Sequence, residues 1–126
     1  MIPNSPNAAP AIDTQMLSQM KLIMGAELQS LFIQYFIDDI PLQLEELRAA
    51  IVTMDITKIR QKSHRIKGES LQMGANQFAA TCELIENMTK ELGEVNEQKY
   101  HEYLEKLKIE FSRVKISLQQ EKDHEN

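Results

Sequence analysis

From Asp13 to Leu118 the apolar residues of this chain return every three or four positions. The chain has four glycines, and three of them, Gly25, Gly74 and Gly93, stand where that pattern breaks. A period of three to four is the signature of an amphipathic helix. No alternating stretch long enough for a useful strand occurs, and no segment repeats. Long amphipathic helices joined by short connections pack as antiparallel neighbours, and their apolar stripes then close one core. The expected fold is therefore all-α: an antiparallel up-and-down four-helix bundle with a short additional N-terminal helix laid against it.

The segments follow from the same pattern. Residues 1–12 carry three prolines and little periodicity, and read as a flexible lead or linker. A short helix spans about Asp13 to Met24, with Asp13 or Thr14 as its N-cap. A second helical region runs from about Ala26 to Met54, its stripe being Leu28, Phe32, Phe36, Ile40, Leu44, Leu47 and Ile51. Pro41 lies inside it and predicts a kink or a break near Asp39–Pro41. Asp55 reads as the N-cap of a third helix with a stripe of Ile56, Ile59, Ser63, Ile66, Ser70 and Met73, ended by Gly74. A fourth covers about Asn76 to Leu92, with Phe78, Cys82, Ile85, Thr89 and Leu92 inward and Gly93 at its end. The last runs from about Asn96 to Leu118, with Tyr100, Leu104, Leu107, Phe111, Val114 and Leu118 in a seven-residue repeat. One domain thus covers 13–118, and residues 119–126 form a polar tail expected to fray.

Composition removes several function classes. A chain of 126 residues holds one core but not two domains flanking a cleft. Its formal charge is −5 and no Lys/Arg cluster occurs, which argues against nucleic acid as a partner. No apolar run approaches the ~20 residues of a membrane span, and the first residues lack the pattern of a signal peptide. A single cysteine, Cys82, allows no internal disulfide, as suits a cytoplasmic protein.

One stretch carries chemistry. On the third helix, His64 falls one position beyond the buried stripe, on the flank rather than in the core. Arg60, Lys67, Gly68 and Leu71 stand at helical spacings that place them on its face. An imidazole nitrogen can take a phosphoryl group, and a lysine one turn away can balance the added charge. Glycine inside a helix costs ~1 kcal/mol relative to alanine. Gly68 is too far from the helix end to be a cap, and its use is to let another protein approach the ring. Each residue alone has a plainer reading as solvated surface, and His101 and His124 keep that reading. The three at fixed spacing do not. Cys82 is a small core residue.

At these residues the chain resembles the histidine-containing phosphotransfer (HPt) domain of multistep two-component phosphorelays. The family pattern reads here as His64-Arg65-Ile66-Lys67-Gly68-Glu69-Ser70 followed by Gly74-Ala75. Phe78, Cys82, Glu83, Ile85 and Glu86 fit the family's next helix, and Phe32, Phe36, Leu44, Leu47 and Asp55 fit its upstream pattern. The resemblance spans about Asp13 to Leu118. Ser63 replaces a common Ala, Pro41 is not a family feature, and Glu86 stands where many members have Gln.

The resemblance implies that His64 accepts a phosphoryl group from a receiver-domain aspartate and passes it to another response regulator. Lys67 would offset charge, Gly68 would admit the partner, and Glu86 would hydrogen-bond the ring while repelling a phosphoryl group. Such a protein has no kinase activity and no cofactor of its own; Mg²⁺ is expected on the receiver. Its partners are receiver domains and, in one arrangement, a hybrid sensor histidine kinase of which it is the C-terminal piece; a monomer is the expected state. That places it in the cytoplasm or on the cytoplasmic side of a membrane-bound kinase. The docking face is expected to include Arg60, Gln61, Gly68 and Leu71, with Met16 or Leu17 from the first helices.

Three other readings compete. Nothing resembles the Gly-rich ATP site of a sensor kinase, and Arg65 with Lys67-Gly68 does not fit a kinase dimerisation helix. A carboxylate-bridged metal bundle needs Glu-x-x-His pairs, but Gln61 and Gln98 precede the two histidines at that spacing. A docking adaptor or scaffold without phosphotransfer is the remaining alternative, and substitution of His64 separates it from a relay.

Overall fold

The computed structural model describes residues 10–91 and 96–123. Among them are five helices and no strand: α1 (Thr14–Met24), α2 (Ala26–Val52), α3 (Ile56–Gln72), α4 (Asn76–Met88) and α5 (Glu97–Asp123). Helices α2 to α5 pack in a closed ring, α2 on α3, α3 on α4, α4 on α5 and α5 on α2. Cross-helix pairs fix the directions. Glu46 pairs with Lys62 and Gln43 with Glu69, so α2 and α3 run oppositely. Arg60 meets Thr89 and Lys67 meets Glu83, so α3 and α4 do too. Gln34 bonds to Lys122 and Phe36 packs on Phe111, which makes α2 and α5 antiparallel.

Local chemistry sets the helix ends. The Asp13 carboxylate accepts the Met16 N–H at 3.1 Å, and Asp55 accepts the Lys58 N–H at 3.2 Å, each satisfying an otherwise orphaned donor. Gly74 adopts φ +73° just after α3. Its N–H reaches Leu71 O and that of Ala75 reaches Ser70 O, closing a Schellman motif that a residue with a Cβ enters only with strain. The Asp13 N–H also donates to Gly74 O at 2.8 Å, which ties the start of α1 to the α3–α4 turn. The α2–α3 turn uses Met54 at φ +51°.

The core joins Ile33, Phe36, Ile40, Leu47 and Ile51 of α2 to Ile59 and Ile66 of α3, Phe78, Cys82 and Ile85 of α4, and the whole α5 stripe from Tyr100 to Leu118. Phe111 is the hub, its ring 6.2 Å from Phe36 and 5.7 Å from Phe78. The expected stripes of α3 and α5 are the buried ones, with Ile56 of α3 only partly covered.

Several expectations need correcting. Leu28 and Phe32 are exposed, both 45%, and Gln29 and Ile33 take their inward places. A strict four-residue step advances 400° around a helix of 3.6 residues per turn, so such a stripe drifts off the core face. Of the kink or break expected at Pro41 the break does not occur, since α2 runs through it as one helix, which ends at Val52. Ile12, placed in the lead, is buried. α4 ends at Met88, four residues early; Leu92 and Gly93 lie outside the described residues. α5 continues to Asp123, into the segment expected to fray.

Candidate functional site

The centre of α3 is built to lie close on α4. Its inward positions Ser63 and Ser70 are small, and both hydroxyls are satisfied within the helix, donating to Ile59 O and Ile66 O at 2.7 Å. A buried serine that back-bonds its own helix costs little polar desolvation and leaves room for the opposite backbone. This close packing lets a glutamate on α4 reach side chains on the α3 surface.

That glutamate is Glu86, whose side chain is only 8% exposed. One carboxylate oxygen lies 2.8 Å from His64 Nδ1, and the other accepts from Lys67 Nζ at 2.8 Å. Lys67 also lies 3.6 Å from Glu83, and Lys90 lies 4.0 Å from Glu86. Burial by itself raises the Glu86 carboxyl, but the hydrogen bonds and charges of Lys67 and His64 outweigh it and hold the pKa below the usual carboxylate range. The same contact with Glu86, against the opposing effect of burial, raises Lys67. An ion pair thus sits behind the histidine.

An ionised carboxylate only accepts hydrogen bonds, so the contact at Nδ1 places the ring proton there. The neutral ring then has its lone pair on Nε2. Among the described residues Nε2 has no partner, and the His64 side chain is 68% exposed. The site therefore presents one oriented, uncommitted nitrogen nucleophile at the surface.

The remaining expected residues divide. Gly68 is exposed, and a Cβ added there would meet nothing within 4 Å, so no neighbour among the described residues requires glycine. Gln61 and Leu71 are exposed beside it on α3. Arg60 is exposed but engaged: its guanidinium donates to Thr89 Oγ1 and Thr89 O, both at 3.0 Å, closing the C-terminus of α4. Met16 is half-buried. Leu17 is 2% exposed and its carbonyl accepts from the buried Gln29, so it is a core residue and not a docking residue. Cys82 is buried, and burial first pushes its thiol up to about 12, which removes it from thiolate chemistry.

A feature missed in the sequence is an apolar band on α1 and α2. Leu22 and Ile23 are almost fully exposed, and Leu28, Leu31, Phe32 and Tyr35 line a shallow groove. Asp39 lies near enough for its charge to act on Arg65, the neighbour of His64, and Tyr35 lies near it too. The signal was present in the crowding of large apolar residues at 28, 31, 32 and 35, too many for one inward stripe. No group of three or more His, Cys, Asp or Glu among the described residues is placed to hold a metal. No helix among them is long and apolar enough to cross a membrane.

Comparison with known proteins bears on the family and the fold. The Hpt domain family matches residues 31–119. The structure is similar to the crystal structure of histidine-containing phosphotransfer protein B (HptB) from Pseudomonas aeruginosa PAO1, with a TM-score of 0.83 and 26% identity, over 93% of this chain and 98% of that one. A comparison with curated proteins finds no match.

Proposed function

This chain belongs to the Hpt domain family, and from that premise we propose that it is a phosphorelay intermediate whose phosphoacceptor is His64. The observation that carries the proposal is the hydrogen bond that Nδ1–H donates to Glu86, which leaves the exposed Nε2 as the nucleophile. In the relay, Nε2 attacks the phosphorus of a receiver's aspartyl phosphate in line with the leaving carboxylate. The receiver supplies the aspartate and the Mg²⁺; this chain supplies the nucleophile and a surface. Phosphoryl transfer asks chiefly for positioning and charge compensation. Glu86 serves the first by fixing the ring, and Lys67 serves the second from one turn away.

The docking surface in this reading is the outer face of α3 around Gln61, Gly68 and Leu71, continued by the apolar band of α1 and α2. Gly68 is the point of closest approach. The function needs no cofactor bound to this chain and no kinase activity of its own.

The test is transfer from labelled receiver domains to wild type and to His64→Gln. The expected product is an acid-labile, base-stable label absent from the variant. A label retained in His64→Gln would place the acceptor elsewhere. Receivers that bind but never transfer would leave a docking adaptor.

A further inference from the structure

We infer that Glu86 does more than orient the ring: its charge keeps the Nδ1 proton on His64 while Nε2 carries the phosphoryl group, and so keeps the imidazole a good leaving group. The inference rests on the reading of His64 as phosphoacceptor.

The electron count makes the point. When Nε2 attacks, its lone pair forms the N–P bond, the P–O bond to the donor aspartate breaks, and that aspartate leaves as a carboxylate. The ring retains the Nδ1 proton and becomes a cation. In the outward step a receiver carboxylate attacks phosphorus, the P–N bond breaks, and its electron pair returns to Nε2. The departing ring is then the neutral Nδ1–H imidazole with which the cycle began. No proton enters or leaves. If the Nδ1 proton is lost in between, the departing group is an imidazolide anion, a far poorer leaving group.

The structure places one charge against that proton. Glu86 Oε2 lies 2.8 Å from Nδ1, and the side chain is almost wholly buried. A carboxylate hydrogen-bonded to a cation favours its charged form. The neighbouring lysines temper this charge, while the contact at Nδ1 remains. Lys67 and Lys90 sit against Glu86, Glu83 sits against Lys67, and Arg60 on the same face is spent on Thr89. On the α2 side Asp39 accepts from Gln43, Glu46 pairs with Lys62, and Arg65 pairs with Glu69. Glutamine at 86 can accept the same hydrogen bond without the charge, so orientation and proton retention are separable.

The experiment phosphorylates the protein chemically with phosphoramidate, in a His101→Gln, His124→Gln background, and titrates the phosphorus-31 resonance that His64→Gln abolishes. The midpoint reports the Nδ1 proton. Glu86→Gln is expected to lower it by roughly one unit or more, as loss of a hydrogen-bonded opposite charge does. Lys67→Gln, which unmasks the carboxylate, is expected to move it the other way. Transfer to a receiver from Glu86→Gln should then fall off at a lower pH than from wild type. Coincident midpoints in wild type and Glu86→Gln would overturn the inference, and so would shifts of the same sign in both variants. Because phosphoramidate needs no receiver, that failure is distinct from a His64 that no receiver labels.

Discussion

At the scale of the single residue, His64, Lys67 and Gly68 could be picked out because helical spacing alone puts them on one face. What they touch across the helix boundary does not follow from spacing; the Glu86 contact with the ring was expected only from the family resemblance. The depth of Glu86, the capture of Arg60 by Thr89 and the burial of Leu17 all depend on how α3 meets α4 and α1 meets α2. That register is set by core packing, which a local pattern does not encode. Gly68 yields the clearest prediction here. No atom of the described residues opposes a Cβ at that position. Gly68→Gln should therefore leave the fold intact and raise the unfolding free energy by up to about 1 kcal/mol, the helix-propensity difference. Transfer from a receiver should fall on the order of a hundredfold, the loss that ~1 Å of misplacement brings. Denaturant unfolding beside a transfer assay checks both, and transfer at the wild-type rate would remove the role given to Gly68.

At the scale of the element, the buried stripe of α5 was legible though its C-terminal end was not, because a seven-residue apolar repeat drifts only about 20° per repeat. α2 was not, because a helix whose large apolar residues occupy two faces offers two stripes, and four-residue steps favour the drifting one. The contact of α4 with α5 holds a less settled group. Glu110 has a carboxylate oxygen buried without a partner. Burial raises its pKa, against the lowering by Thr81, Lys106 and Arg113. For an acid whose folded pKa is raised, the unfolded chain ionises first as pH increases. Stability is therefore lost as pH climbs from the ordinary value through the folded one, and the penalty is complete above it. Glu110→Gln should accordingly raise the melting temperature at neutral pH by roughly 2–4 °C, with no gain below the ordinary carboxylate range. Thermal unfolding at the two pH values decides it; an equal change at both would mean that charge is not the cause.

At the scale of the molecule, the helix order and the closed core followed from periodicity and short connections. The seating of the N-terminal segment did not. Ile12 enters the core, and the Asp13–Gly74 hydrogen bond fastens α1 to the far turn, a contact between residues distant in sequence. With α1 so placed, Leu22, Ile23, Leu28, Leu31, Phe32 and Tyr35 remain uncovered. If this band docks the receiver, Phe32→Asp should weaken receiver binding by at least about tenfold, or 1.4 kcal/mol. Its thermal stability should stay near wild type, because Phe32 is already exposed. Calorimetric titration measures the first and melting the second; unchanged affinity would move the docking surface elsewhere.

The proposed relay turns on one nitrogen. Long-range proton–nitrogen NMR of the His64 ring, recorded before and after phosphorylation by a receiver, reads it directly. The geometry predicts a resting ring protonated at Nδ1 and a product with phosphorus bonded to Nε2. A resting proton on Nε2, or phosphorus on Nδ1 or on any other residue, would contradict it.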